Sequence, residues 1–244
     1  MTVNRYSPEG QTKVLTRLFE TSVCFNIFDM PNRSPNTINH ILDAAERLFG
    51  EHGFSNSSLR QITDHAGVNL AAVNYHFGPK EKLYREVLLR RIRPLNAQRT
   101  ELLVRAEQLA GDQPIPLRAI VDAFVRPLLR HAADKSLGGL PFLRLISRDL
   151  TDPQPFMLNE MAKEFDPLIE RYARALTQAI PGVPMAEIFW RMQFTIGALL
   201  YIAAHQHDLC RISHGICTGD DLEGCIRRLI DFCAAGLCTP PAKV

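Results

Sequence analysis

The chain of 244 residues is predicted to be all α-helical, and two observations carry this prediction. Apolar residues recur at spacings of three and four through most of the sequence, so they line one face of successive helices. The sequence shows neither of the two patterns typical of strands, which are a clear alternation of apolar and polar residues and runs of β-branched residues. We therefore expect a short helical domain at 36–82 and a larger one at 83–238, with an extension at 1–35 and a tail at 239–244.

The composition indicates a folded protein that works in the cytoplasm. Hydrophobic residues make up 46% of the chain and charged residues 22%, which suits a buried core rather than disorder. The net charge of +2 means that any surface for an acidic partner must be local. Lys13 and Arg17 interrupt the early apolar residues, and the longest uncharged stretch, 192–207, is short for a membrane span. We expect no membrane partner and reduced cysteines.

The first well-patterned helix is predicted over 37–51, after the extension. Within the extension, 12–29 is apolar enough for a short helix, and Met30 offers an alternative start of the chain. Asn36 or Thr37 can cap the predicted helix, and Gly53 follows its last turn. Its apolar face consists of Ile38, Ile41, Leu42, Ala45, Leu48 and Phe49.

Two short predicted helices then flank Gly67, a residue that adopts a left-handed turn at little cost. Ser58 and Gln61 match a capping box at the start of the second helix, and Asn69 can cap the third, at 70–76. Helix, tight turn and helix in this order form the pattern that places one helix in the major groove of DNA.

The remaining segments are also predicted to be helical. A fourth helix is predicted from about 80 to 108. Pro79 suits its first position, and Pro94 should kink or break it. The later predicted helices span 117–133, 141–150, 154–179, 185–207 and 220–236.

The third predicted helix has the properties of a recognition helix. Small residues allow close approach to the groove, polar residues can bind base edges, and flanking groups can bind phosphates. Since many helix-turn-helix units bind nothing, a purely structural turn stays open as an alternative. The expected DNA contacts are Ser57, Ser58, Arg60, Asn69, Leu70, Ala71, Ala72, Asn74, Tyr75, His76, Lys80 and Lys82.

Residues 38–83 resemble the N-terminal domain of TetR-family transcriptional regulators. The resemblance is carried by AAERLF at 44–49, Gly53-Phe54, SSLRQI at 57–62, AGV at 66–68, and YHF at 75–77 followed by Lys80. It implies a homodimer that binds a palindromic operator on double-stranded DNA, usually as a repressor released by a small ligand. It also implies phosphate contacts by Tyr75, His76 and Lys80. The family often has tyrosine at the position of Asn74, which leaves the base preference there open.

The same resemblance implies that the last two long helices, 185–207 and 220–236, pair across a dimer. Trp190, Phe194, Gly197 and Tyr201 share one stripe of the first, where they can serve packing, dimerisation or ligand contact. The segments NLAAVNYHFG and FWRMQFTIGA resemble those of regulators that sense fatty acids or acyl-CoA, so an acyl-type effector is a hypothesis.

Arg144 and Arg148 lie four residues apart beside Phe142, an arrangement that suits a carboxylate or phosphate with an apolar tail. The alternative is a pair of solvated or ion-paired arginines. The predicted effector contacts are Phe142, Arg144, Arg148, Trp190, Phe194 and Tyr201.

Three other functions remain open. A metal- or redox-sensing regulator could use His205, His207, Cys210, His214 and Cys217, although no CxxC pair is present. An all-α enzyme would need a catalytic group of residues, and His131, His205 and Glu160 show no such pattern. A protein-interaction module would have no DNA role. We predict no catalytic residue, no metal ligand and no cofactor.

Overall fold

Ten α-helices and one short 3-10 helix make up the fold over the residues that the computed structural model describes, 35–205, 208–217 and 221–240. No strand occurs in these ranges, and the all-α prediction is confirmed. The predicted extension, with its helix at 12–29 and Met30, lies outside the described residues apart from Pro35. The helices are α1 (Pro35–His52), α2 (Leu59–Ala66), α3 (Leu70–His76), α4 (Lys80–Ala110), α5 (Leu117–Ala133), α6 (Gly139–Thr151), α7 (Leu158–Ala179), α8 (Met185–His205), α9 (Asp208–Ile212) and α10 (Leu222–Cys238).

Helices α2 and α3 are capped at their ends, and the apolar faces of α1 and α2 meet. Ile41, Ala45 and Phe49 of α1 are fully buried, and α2 packs against α1 through the fully buried Ile62. Gly67 takes the left-handed conformation (φ +67°) that ends α2, and its N–H donates to the Thr63 carbonyl. The predicted turn at Gly67 is therefore confirmed.

Helix α4 is longer and more continuous than predicted. Pro79 is the cap before the helix rather than its first residue, and the helix runs through Pro94 to Ala110 without a break. Pro94 is exposed, while Ile92 and Leu95 beside it are buried. Packing of these neighbours outweighs the one backbone hydrogen bond that a proline removes.

Helices α5 to α8 and α10 build a second layer of the same core. Helix α10 packs along α5, and α6 packs along α1, so the second layer contacts the three-helix unit directly. Helix α7 begins later than predicted, at Leu158, because a turn ending at the buried Met157 precedes it. None of the helices in the described ranges has both the length and the apolar character that a membrane span needs.

Candidate functional site

Helix α3 presents two different faces. Ala72 and Val73 are buried in the core, whereas Leu70, Ala71, Asn74 and Tyr75 are exposed. Positions 70, 71, 74 and 75 repeat at helical spacing, so their side chains share one outward side. Tyr75 is the more exposed of the two large apolar side chains on this face, with 57% of its surface exposed. The predicted contact from Ala72 is wrong, because this methyl group faces the core.

The start of α3 is held by Asn69. Its side-chain oxygen accepts a hydrogen bond from the Ala72 N–H at 2.8 Å, which is the N-cap predicted from the sequence. Because the oxygen is occupied by the cap, the amide nitrogen is the Asn69 group left for a phosphate. Helix α3 contains no acidic residue in its first turn, so the positive end of its dipole is not neutralised there.

The start of α2 is held by the predicted capping box. The Ser58 N–H donates to Gln61 Oε1 at 2.8 Å, and the Gln61 N–H donates to Ser58 Oγ at 3.2 Å. Ser58 and Arg60 are exposed at this end of α2, where a DNA backbone can reach them. The two caps thus fix where α2 and α3 begin, and the Gly67 turn joins the two helices.

Ser57 does not have the exposed position that a phosphate contact needs. Its hydroxyl donates to the carbonyls of Gly53, at 2.8 Å, and Leu48, at 3.2 Å, and its side chain is buried. The hydroxyl thus closes the turn after α1. The predicted DNA contact by this side chain is wrong, because the two hydrogen bonds hold the hydroxyl inside the turn, away from solvent.

Lys80 is also occupied within the fold. Its Nζ donates to the carbonyls of Phe54 and Ser57, each at 2.9 Å, and lies 4.1 Å from the centre of the Phe54 ring. The ammonium group therefore ties the first turn of α4 to the loop between α1 and α2. This geometry does not support the expected phosphate contact, and Lys82, which is exposed, is the neighbouring cation that is placed for one.

His76 is half-buried at the end of α3. Its ring meets the Tyr75 ring nearly edge-on, with 5.2 Å between ring centres, and its Nε2 atom is buried. Among the described residues no hydrogen-bond partner of this atom is found. A phosphate could therefore reach the ring only through its other nitrogen.

A cavity of about 280 Å³ lies in the second layer, between α4 and α8. Its wall is mostly apolar and includes Phe142, one of the residues expected to contact an effector. Most of the other lining residues could not be predicted from the sequence, because they are ordinary apolar core positions on five different helices. The polar lining residues are Arg99, Asp166 and Gln193.

Arg144 and Arg148 lie on the other side of α6 from this cavity. Arg148 Nη2 donates to the Glu51 carbonyl at 3.3 Å, and the Arg144 Cβ lies beside Gly50 of α1. Since successive helical residues turn by about 100°, Arg144 points about 200° away from Phe142. The predicted joint site of the three residues is wrong: the arginines lie along the end of α1.

Trp190, Phe194 and Tyr201 also lie outside the cavity. Their side chains are 64%, 66% and 62% exposed, in a row along α8. Gln193, Ile196, Leu199 and Leu200 of the same helix line the cavity instead. This cavity therefore does not bring the three aromatic residues together with Phe142, although Tyr201 and Phe194 line two other hollows. The effector contacts expected of them stay a prediction, and the alternative of a packing face also fits their exposure.

The His/Cys segment does not form a metal site in the described part of the chain. No group of three or more His, Cys, Asp or Glu side chains there is arranged to hold a metal ion. His207 lies outside the described residues. Cys210, Cys217, Cys225, Cys233 and Cys238 are free thiols in the structure.

Several known regulators are similar to part of this chain. The regulator AcrR of Shigella flexneri is 45% identical over 51 residues, which are 21% of this chain and 24% of AcrR. The repressor AcnR of Corynebacterium efficiens is 39% identical over 49 residues, or 20% and 26% of the two chains. The repressor BepR of Brucella suis is 32% identical over 95 residues, or 39% and 43%. The chain thus matches about a quarter of the length of the first two relatives.

Solved structures share the fold over most of the chain. The TetR-family regulator PfmR of Thermus thermophilus superimposes with a TM-score of 0.56 at 19% identity, covering 80% of this chain and 93% of PfmR. A TetR-family regulator of Marinobacter aquaeolei gives a TM-score of 0.60 at 16% identity, covering 85% and 98%. At these identities the likeness concerns the fold.

Two family models match separate parts of the chain. The model described as bacterial regulatory proteins, tetR family, matches residues 41–87, which include α2 and α3. The model described as tetracyclin repressor-like, C-terminal domain, matches residues 122–236, which include α6 to α9. Helix-turn-helix geometry, the fold of the whole described chain and both family models agree, and the chain belongs to the TetR family of bacterial regulatory proteins.

Proposed function

We propose that the protein is a sequence-specific DNA-binding transcriptional repressor of the cytoplasm. It binds a palindromic operator as a homodimer, through one α3 helix from each subunit, and a small effector releases it. The outward face of α3, held by the Asn69 cap, is the observation that carries the proposal. The names of the relatives AcrR, AcnR and BepR, all transcriptional regulators or repressors, support regulation over catalysis or a purely structural turn.

The exposed residues of α3 suit the floor of the major groove. Leu70 and Ala71 offer apolar contact to thymine methyl groups, and the Asn74 amide can bind an adenine through N6 and N7. Ser58 and Arg60 at the start of α2, and Lys82 at the start of α4, lie on either side and suit phosphates. Base selection is thus assigned to α3 and positioning to its flanks.

Dimerisation is supported by an apolar face on the last long helices. Trp190, Phe194 and Tyr201 on α8 and Phe232 on α10 are all more than 60% exposed. Exposed apolar surface of this extent indicates an interface. A Cβ added at Gly197 would meet no atom within 4 Å, so this glycine leaves open space beside the aromatic row. A second copy of the same face is the proposed occupant, since a symmetric dimer pairs like surfaces.

Two helices connect the cavity to the DNA-binding helices. Helix α4 lines the cavity with Ile92 and Leu95, and its first residue, Lys80, holds the loop before α2. Helix α6 lines the cavity with Phe142 and Ile146 and packs along α1 with its other side. An effector that changes the position of either helix would therefore move the DNA-binding helices.

The coupling also has a polar component. Tyr84 of α4 donates a hydrogen bond to Asp149 Oδ1 of α6 at 3.1 Å, and both side chains are buried. Burial raises the pKa of Tyr84, and the neighbouring Asp149 carboxylate raises it further. Arg90 and Arg91 of α4 pair with the buried carboxylate of Glu46 on α1. These bonds hold α1, α4 and α6 in one arrangement.

Selection of bound sequences from a random duplex pool tests the proposal. We expect a palindromic consensus, with two half-sites about one helical turn apart. Asn74→Ala should change the preferred base at one position of each half-site, while Lys82→Met should weaken binding to all sequences alike. No enrichment by protein that keeps its helical circular dichroism spectrum would contradict the proposal.

The acyl-type effector that the sequence resemblance implies stays a prediction. The apolar wall of the cavity is compatible with an acyl chain. Release of the selected duplex by decanoyl-CoA or by a long-chain fatty acid would support it.

A further inference from the structure

The cavity wall contains a charged residue that is almost fully buried. Arg99 of α4 is 4% exposed and is the only cation among the described residues that line the cavity. Almost all of the other residues that line the cavity are apolar, and the guanidinium lies over the Phe124 ring. A buried arginine in such surroundings calls for a partner of opposite charge.

No such partner is present in the described part of the chain. Arg99 Nε donates to the Phe124 carbonyl at 3.0 Å, and Nη1 donates a long bond to Asn96 Oδ1 at 3.4 Å. No ion pair with a carboxylate is found for Arg99 among these residues. An arginine side chain carries five N–H donors. These two bonds use one donor at Nε and one at Nη1, which leaves three donors without an acceptor in the described part of the chain.

The position of the guanidinium is nevertheless well defined. Its central carbon lies 4.2 Å from the centre of the Phe124 ring, and the Phe124 carbonyl holds its Nε. Burial lowers the pKa of Arg99 to about 10, so the group stays protonated at neutral pH. The result is a fixed, buried positive charge beside an apolar cavity.

We propose that the cavity binds an apolar monocarboxylate whose carboxylate group pairs with the unused N–H donors of Arg99. The proposal rests on the proposed function, in which this cavity is the effector site. A carboxylate would supply the missing negative charge and accept two parallel hydrogen bonds from the guanidinium. The apolar wall would bind the rest of the molecule by removing its surface from water.

The cavity volume limits the size of this ligand. A dry cavity of about 150 Å³ holds benzene, so a cavity of about 280 Å³ holds roughly twice as many heavy atoms, on the order of a dozen. Decanoate, with its ten carbons and two oxygens, has this size. A coenzyme A thioester is several times larger, and its thioester group carries no charge for Arg99.

The charge in the wall also limits the head group. Asp166 lies on the cavity wall and is exposed, and it forms no ion pair with Arg99. One cation together with one carboxylate disfavours a doubly charged phosphate. The geometry therefore favours a single negative charge.

Isothermal titration calorimetry of the full chain with decanoate, decan-1-ol and decanoyl-CoA tests the proposal without DNA. We expect decanoate to bind most tightly and Arg99→Met to weaken it by about 10- to 150-fold, the range of a charge-assisted hydrogen bond. Binding of decan-1-ol should change little in the same variant. Arg105→Met, at an exposed position of the same helix, is the matched control and should leave both affinities unchanged.

Several results would overturn the proposal. Equal affinities for decanoate and decan-1-ol would show that Arg99 does not recognise charge. Equal losses of both ligands in Arg99→Met would show that Arg99 only shapes the wall, and Arg99→Lys, which keeps the charge, should then rescue nothing. Tighter binding of decanoyl-CoA than of decanoate would also refute it. If decanoate fails to bind but the protein selects a palindrome, only the ligand class is wrong; if decanoate binds but no duplex is selected, the proposed function is wrong.

Discussion

Replacing Lys80 by methionine would separate a structural role of this residue from a DNA contact. Lys80 donates two hydrogen bonds of 2.9 Å to the carbonyls of Phe54 and Ser57 and lies over the Phe54 ring. Two charge-assisted bonds at the lower end of their range are worth about 1.5 kcal/mol each, and the ring contact about 0.5 kcal/mol. Because the group is partly solvated and the terms are not additive, we expect Lys80→Met to lower the free energy of unfolding by about 2–3 kcal/mol.

Urea unfolding and the salt dependence of DNA binding together test this expectation. The variant should unfold at lower urea with an unchanged slope. Its binding to the selected duplex should weaken, but the slope of log affinity against log salt concentration should match that of the wild type. The matched control is Lys82→Met at the exposed neighbouring lysine, which should leave stability unchanged and reduce that slope by about 1.8, because the proposed dimer loses one phosphate contact of about 0.9 in each subunit.

The opposite pattern would refute the reasoning. If Lys80→Met keeps its full stability and loses about 1.8 of the salt slope, one contact per subunit, Lys80 binds a phosphate, and its two carbonyl bonds must break when DNA binds.

Four further substitutions test other parts of the structure. Asn69→Ala should cost about 1 kcal/mol of unfolding free energy by removing the cap of α3, and Asn69→Ser, measured in the same urea series, should restore most of it. Tyr84→Phe should cost about 1–3 kcal/mol because it leaves the buried Asp149 without its hydrogen-bond donor; an unchanged urea midpoint would mean that the bond does not hold α4 to α6. Burial raises the pKa of Asp149 in the folded protein above its ordinary value of 3.8. The stability that protonated Asp149 contributes is therefore fully present below pH 3.8 and is lost as the pH rises through the pKa of the folded state. Asp149→Asn should be more stable than the wild type at neutral pH, with no gain below pH 3.8. Phe194→Glu should convert a dimer to a monomer in sedimentation velocity, while Leu109→Glu, at an 82% exposed position of α4, should not; a dimer in both would place the interface elsewhere.

Local chemistry explains which parts of the fold could be predicted. The capping box of Ser58 and Gln61, the left-handed Gly67 and the Asn69 cap each depend on a few consecutive residues, and all three occur as predicted. The bounds of α3 follow directly from these signals. The break expected at Pro94 does not occur, because packing of the residues on both sides of it keeps α4 continuous.

Contacts between distant residues explain what could not be predicted. Ser57 and Lys80 are polar and close to the recognition helix, yet their hydrogen bonds reach Leu48 and Phe54 within the fold. Arg144 and Arg148 share a face, but only the packing of α6 against α1 shows that this face is turned away from the cavity.

The sequence by itself therefore determined the all-helical class, the helix-turn-helix and the family resemblance, because periodicity, caps and turns act over a few residues. Only the tertiary structure decided which polar side chains are available for DNA, which helix faces meet, and that Arg99 is buried without a counter-ion among the described residues. Arg99 lies 25 residues before the Phe124 carbonyl to which it donates, and no local pattern relates two such positions. Burial and the pairing of charges depend on how helices pack, and packing joins residues that are far apart in the chain.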